Sequence, residues 1–398
     1  MITIKDLQKN IKLFYIINLF IGLVFMVPIW VNFERRIISN SQMAMLEVLG
    51  TTMLVVMQLP TGALADLIGR KNTMILGWFI SAIGNIGFGL SQSFSPLVLF
   101  YVLCNLGAAF VSGADVALLY DTLKEIGREQ EFQSITSKKG LFFQISIILA
   151  TLLGGYFYNI NPSLPYIGYS IALLGGIIVA FFLTEPDIDT EKFTLKSYSY
   201  KIKDGFKEIF KTKYLKYLSL FYILVGGITW SAQLFFIQVF ATDIGFSVIE
   251  KSWFFAILRL INSVVFYKVI SRGNLINEKR SFLLFPIMMI MAFLPGAVAG
   301  KIFGGALVWL AVFAGTARFI ILDKYLNDEF ASRHRATALS ALGMIVSIIY
   351  ILLMLLSGPI MQVFSSKAMF SLLGILSIIF VLPLGIRLRK LKNSLSVK

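Results

Sequence analysis

Four ionisable residues stand out within long apolar runs: Glu47, Asp115, Arg259 and Arg318. Such a group at mid-bilayer costs about 2.5–3.5 kcal/mol on insertion scales, so each calls for a partner or a function. A carboxylate in those surroundings, at Glu47 or Asp115, can take up and release a proton. Arg259 and Arg318 suit an anionic group on a bound molecule, or a carboxylate partner. The bland alternative pairs them structurally, for example Asp115 with Arg318. Polar neighbours extend these points into stripes. Glu47, Thr51 and Gln58 lie within about 40° of one another on a helix, and Asn105, Ser112 and Asp115 within about 80°. Arg259, Asn262 and Ser263 share a face. Trp230, Gln233, Leu234, Phe235, Phe236 and Gln238 form the best candidate for an aromatic pocket wall. Other aromatic residues at helical spacing are expected to pack on lipid or on neighbouring helices.

Catalysis needs convergent groups that this chain lacks. Its single cysteine, Cys104, forms no intrachain disulfide, and its single histidine, His334, sits beside Arg333 and Arg335 in a basic loop. No nucleophile–base pair, metal site or cofactor site is expected. The chemistry within reach is therefore binding of a small molecule and exchange of protons.

The elements that position these residues follow from composition. The chain has 398 residues, 57% of them hydrophobic and 14% charged, with a mean hydropathy of +0.81. Soluble domains carry about a quarter charged residues. A membrane-spanning helix takes about 20 apolar residues. Twelve apolar runs are separated by charged or turn residues, at 12–32, 42–65, 73–91, 96–120, 137–159, 163–183, 214–241, 248–270, 281–296, 299–322, 337–363 and 367–386. The expected fold is an all-α polytopic membrane protein of twelve transmembrane helices in two pseudo-symmetric six-helix bundles. The first run lacks a small-residue cleavage site and is long enough to span.

Basic residues orient the chain, because cytoplasmic loops are enriched in Lys and Arg. With the N-terminus inside, 29 of the 36 fall on inner segments and 5 on outer loops. Both termini are therefore expected in the cytoplasm of a bacterial cell, with the inner membrane around the bundle. The net charge of +15 reflects this asymmetry and not a nucleic-acid partner. The polar stretch 184–213 starts acidic and turns basic. It places Phe206, Ile209 and Phe210 on one helical face, which predicts an interfacial amphipathic helix on anionic lipid. It divides the chain into 1–183, a 184–213 linker, and 214–398 with a basic tail. The halves echo each other: Gly113 to Asp121 reads GADVALLYD and Gly315 to Asp323 reads GTARFIILD, an offset of 202 that also aligns Asp66 with Lys268 and Arg70 with Arg272. Internal duplication is a common transporter construction.

The most specific signal is Gly62-Ala-Leu-Ala-Asp66-Leu-Ile-Gly69-Arg70-Lys71, between the second and third runs. It resembles the G-x-L-a-D-r-x-G-r-k signature of the major facilitator superfamily, and the resemblance extends to the whole twelve-run, two-half layout. It implies a secondary transporter that alternates between inward-open and outward-open states, working as a monomer. In the family the motif is a conformational latch. Carried over, Asp66 would cap the start of the eleventh helix near Ala336 to Ser340, and Arg70 would pair with Asp121. Drug/proton antiporters of the family carry an Arg in an R-x-x-q-G-like motif of helix 4, where this chain has Cys104-Asn105-Leu106-Gly107. Their helix 5 motif resembles Leu152-Leu153-Gly154-Gly155 without its proline. Segments Ser112 to Asp121 and Arg335 to Ser340 resemble a bacterial efflux-permease branch. The resemblance implies proton-coupled efflux of small amphipathic or drug-like compounds, or transport of a polar metabolite such as a sugar, peptide or organic anion.

Overall fold

A computed structural model describes residues 3–187, 203, 205–271, 277–331 and 335–395. Most of the expected amphipathic linker, together with Arg272, Arg333 and His334, lies outside the described residues. Among the described residues there are helices and no strands. The reason is the one that governs any lipid-embedded backbone. Its N–H and C=O groups find no water, and a helix satisfies them within one segment.

Each of the twelve apolar runs is helical. In chain order the helices are α1 (Ile4–Ile21), α2 (Trp30–Glu34), α3 (Asn40–Ile68), α4 (Arg70–Leu90), α5 (Phe94–Val111), α6 (Ala114–Glu125), α7 (Phe132–Ile160) and α8 (Leu164–Ala180). After the linker come α9 (Lys213–Ser231), α10 (Ile237–Asp243), α11 (Val248–Ser271), α12 (Glu278–Phe293), α13 (Lys301–Glu329), α14 (Arg335–Val363), α15 (Ser366–Leu376) and α16 (Leu382–Leu395). Among the described residues, 8 of the helical spans are long and apolar enough to cross a membrane, and 9 if α3, bent by 44° at Pro60, counts as one. The chain is an all-α polytopic membrane protein.

Contacts divide it into two units: Met1–Thr194 with Val248–Ala256, and Leu195–Ser247 with Ile257–Lys398. In the first unit, Phe14 and Ile17 of α1, Met74 and Trp78 of α4, Leu118 of α6 and Leu173 of α8 share one buried core. Small residues let its helices approach closely, as membrane packing favours. A Cβ at Gly77 would come 2.7 Å from the Gly107 carbonyl, and one at Gly84 2.8 Å from the Cys104 backbone nitrogen. Cys104 and Gly107 thus serve the α4–α5 contact. In the second unit, Phe240 and Phe370 stack with ring centroids 4.1 Å apart. Residues 205–209, the described end of the linker, are helical, with Ile209 buried and Phe210 57% exposed.

Several apolar runs are not single regular helices, and three of these breaks bear on the candidate residues. The first stops at Ile21 and resumes only at Trp30. Pro28 has no N–H to donate, and the irregular segment between lies in a notch on α7, where a Cβ at Gly154 would strike the Phe25 carbonyl. The fourth breaks at Ser112–Gly113, where Gly113 takes φ +87. The seventh contains a π-helical turn over Ala232–Phe236. Breaks of this kind concentrate at functional positions.

Replacing Gly107 with Val should therefore cost about 1–3 kcal/mol by overpacking. A Cβ at Gly140 meets nothing within 4 Å, so Gly140→Ala should leave the unfolding midpoint unchanged or slightly higher. Thermal unfolding of both variants in detergent tests the close α4–α5 contact. Equal midpoints would contradict it.

Candidate functional site

The break in the fourth run makes the site. α5 ends at Val111, Ser112 is extended, and only glycine adopts the Gly113 backbone without strain. Asp115, in the first turn of α6, then faces α7 instead of lipid. Lys139 Nζ sits 2.5 Å from both Asp115 carboxylate oxygens. The pair is largely buried, with side-chain exposures of 11% for Lys139 and 21% for Asp115. Lys139 Nζ also lies 5.5 Å from the Phe14 ring centroid. The turn from α6 to α7 is fastened by Arg128, which donates to Glu131 at 2.6 and 2.7 Å. That bond holds the solvent-exposed Glu131 carboxyl below its usual range.

Beside the break lies a cavity of about 430 Å³. Trp78, Phe143, Tyr169 and Leu173 give it apolar and aromatic walls, while Ser112 and Asp115 supply polar groups. Such a site holds a flat apolar body and offers one anionic point of attachment, already balanced by a lysine. The alternative pairing of Asp115 with Arg318 is replaced by this one. Lys139 is close in space and is drawn to the carboxylate because both charges are otherwise stranded in a low-dielectric interior.

The remaining candidates of the first unit occupy two further places. Glu47 accepts a hydrogen bond from the Tyr101 hydroxyl at 2.7 Å. Asn105 turns back onto the Tyr101 carbonyl at 2.9 Å, and Gly50 of α3 leaves room for both side chains. Between α3 and α4, Gly69 takes φ +87 and turns the chain from one helix into the next. Arg70 forms an ion pair with Asp121, while Gly62 lies on α3 and Asp66 is exposed near its end. Lys71 Nζ donates to the Phe181 carbonyl at 2.7 Å.

Two residues of this region were not singled out by their types. Glu185, the first acid of the linker, accepts the backbone N–H groups of Arg70 and Lys71 at 2.7 and 2.8 Å. It satisfies orphan donors at the α4 N-terminus and complements its dipole. Asn10 of α1 exchanges two hydrogen bonds with the Thr184 backbone, at 2.8 and 2.9 Å. The acid-Pro signal at Glu185-Pro186, placed after an apolar run, was the visible clue.

In the second unit, Gln233 in the π-helical turn donates to the Val312 carbonyl at 3.1 Å, against Gly315. Trp230 packs on Tyr350 with centroids 5.4 Å apart. Phe235 and Phe236 are buried at 0% and 1% exposure and pack between helices, while Trp230 and Gln233 are half-buried. Arg259 is half-buried on α11, and one turn on, both amide atoms of buried Asn262 lack hydrogen-bond partners. Arg318 is 3% exposed.

Comparison with known proteins follows this geometry. The Major Facilitator Superfamily model matches residues 12–322. The chain belongs to the Major Facilitator Superfamily. It is 25% identical over 292 residues to an uncharacterized transporter of Buchnera aphidicola, covering 72% of each chain. It is 27% identical to an uncharacterized MFS-type transporter of Methanocaldococcus jannaschii, spanning 46% of that relative's length and 45% of its own. It is 26% identical to Multidrug resistance protein 1 of Bacillus subtilis over 55% of this chain and 56% of that one. Among solved structures, an inward-facing bacterial homologue of the lysosomal transporter Spinster aligns with TM-score 0.71 and 16% identity, covering 97% of both chains. The nucleoside transporter NupG aligns with TM-score 0.72 and 15% identity, over 96% of this chain and 98% of that one. These two likenesses concern the fold. A Major Facilitator Superfamily member is a transporter and not an enzyme.

Glu185→Gln removes the charge from the α4 N-terminus while keeping side-chain size. Bonds to a charged acceptor contribute about 1.5–3 kcal/mol, so amide exchange at residues 70–73 should accelerate at least about 10-fold while α7 is unchanged. Exchange followed by mass spectrometry reads this. Unaltered protection at residues 70–73 would count against the cap.

Proposed function

We propose that this transporter exports small amphipathic compounds across the bacterial plasma membrane by alternating access, in exchange for protons. The observation that carries the reading is the cavity beside the helix break, with aromatic walls and one carboxylate paired to Lys139. A compound with an apolar body fills the walls, and its cationic or donor group takes the place of Lys139 at Asp115. The multidrug-resistance names of two Bacillus subtilis relatives point the same way. A proton entering down 100 mV supplies about 2.3 kcal/mol, before any pH term. Glu47 and Asp115 are the carboxylates assigned to the exchange.

In this reading 1–183 and 214–398 are the two rocking bundles of a monomer, joined by 184–213, with both termini cytoplasmic. Gly62, Asp66, Gly69, Arg70, Lys71 and Asp121 form the inner latch, with Asp66 capping the helix that starts near Ala336. Asn105, Gln233 and Trp230 contribute polar and aromatic surface to the path. A second reading, transport of a polar metabolite, draws on the cationic groups of half-buried Arg259 and buried Arg318.

Ligands that bind the folded state raise stability by mass action, about 2.7 kcal/mol at 100 times Kd. Amphipathic cations such as ethidium should raise the unfolding temperature of the wild type and leave Asp115→Asn unmoved. Sugars, nucleosides and dicarboxylates should have no effect. In proteoliposomes, ethidium should drive an internal pH change that Glu47→Gln or Asp115→Asn abolishes. Stabilisation by a polar metabolite, with none by the cations, would replace the first reading with the second.

A further inference from the structure

The second unit contains a buried charged cluster that the cavity does not use. Arg318 of α13 is 3% exposed, and its guanidinium carbon lies 3.9 Å from the Phe319 ring centroid and 5.0 Å from that of Tyr222 on α9. Gly226, one turn beyond Tyr222, makes the space: a Cβ there would strike Arg318 Nη1. The aromatic faces stabilise the cation, but they offer no hydrogen-bond acceptor of carbonyl or carboxylate strength. Arg318 Nε and Nη1 are buried without a hydrogen-bond partner.

Five residues further along α13, about 7.5 Å up the helix axis, stands Asp323. Its Oδ1 is also buried without a partner. The Tyr222 hydroxyl lies against its carboxylate. The electrostatic partners acting on Asp323 are Tyr222 and Arg318, and those acting on Arg318 are Tyr222 and Asp323. The three groups thus form a closed set. Nearby Lys324 is exposed, and the Tyr325 hydroxyl is engaged with Ser281. From α14 it is Val346 that approaches, an apolar side chain.

Within that set one charge can change. A guanidinium does not lose its proton in proteins, and a tyrosine does so only near pH 10. The carboxyl is the group that titrates. When Asp323 is ionised, the opposite charge of Arg318 and the orphan atoms on both side chains favour a direct ion pair. When Asp323 is protonated, that attraction falls away and the guanidinium rests on its rings. In the structure both side chains keep buried atoms without a hydrogen-bond partner, so the pair has contacts still to make.

We propose that Asp323 is a proton-binding site of this transporter, and that its ion pair with Arg318 is made when the proton leaves and broken when one arrives. Tyr222 positions the carboxyl between the two states. The proposal rests on the proton-coupled reading for what the proton does, but not for its binding.

The test is an infrared pH titration of the full-length protein in detergent, from about pH 4 to about pH 9, following the carboxylic-acid C=O band. The wild type should show a titrating band that Asp323→Asn removes. Arg318→Gln should raise its midpoint by about one pH unit or more, because a neighbouring cation favours the ionised carboxylate. Tyr222→Phe keeps the ring and drops the hydroxyl, so it guards against a variant that merely fails to fold; it should move the midpoint in the same direction. A band that survives Asp323→Asn would overturn the site. So would midpoints unmoved in both Arg318→Gln and Tyr222→Phe. If the band behaves as expected but ethidium drives no pH change in wild-type proteoliposomes, the binding site stands and the proton-coupled reading fails.

Discussion

An ionised side chain inside a bilayer must find a counter-charge or dipoles within reach, and this need organises the chain more than any other. Apolar packing is indifferent to partner when lipid is as apolar as leucine. The few charges are not indifferent. Asp115 meets Lys139 and Arg70 meets Asp121, and each pair ties two helices of the first unit at a defined register. The cavity lies at the break, lined by Ser112, Gly113 and Asp115, where the chain turns from α5 into α6. Position of charge, shape of backbone and site are therefore one fact seen at three scales.

The two units treat related positions differently. Asp121 and Asp323 end the two similar segments Gly113 to Asp121 and Gly315 to Asp323, 202 residues apart. In the first unit the helix is broken at Gly113, eight residues before Asp121, and the acid has an arginine partner. In the second, α13 runs unbroken through Gly315, and Asp323 keeps a buried oxygen without a partner. Glycine serves a break at Gly113 and a close approach at Gly315, where Gln233 lies against it. One unit thus presents completed ion pairs, one of them beside a cavity, and the other keeps orphan polar atoms on Arg318 and Asp323.

Much of this was legible in the residues. The apolar runs give the helices, since length and hydropathy decide a span with little competition from propensity. Gly69 and Arg70 announce a turn, and Gly69 makes it with a positive φ. The partners were harder. Lys139 reads in sequence as one more inner basic residue, and only the break at Gly113 turns Asp115 toward it. Glu185 reads as the acidic start of a linker, yet its carboxylate closes the N-terminus of α4, 115 residues away from its partner Arg70. The aromatic run of the seventh span resembles a pocket wall until the π-helical turn rotates Phe235 and Phe236 into packing. Helical periodicity predicts faces, and it fails where glycine or a π turn shifts the phase.

A double-mutant cycle on Asp115 and Lys139, read by thermal unfolding in lipid nanodiscs, tests the central pair most directly. Removing one partner strands the other, so Asp115→Asn and Lys139→Gln should each cost several kcal/mol, about 3–5 for a fully buried pair and less here for partial exposure. The double variant should recover much of that loss, with a coupling above about 1 kcal/mol. Losses that simply add would show that the two charges do not hold the broken helix to α7.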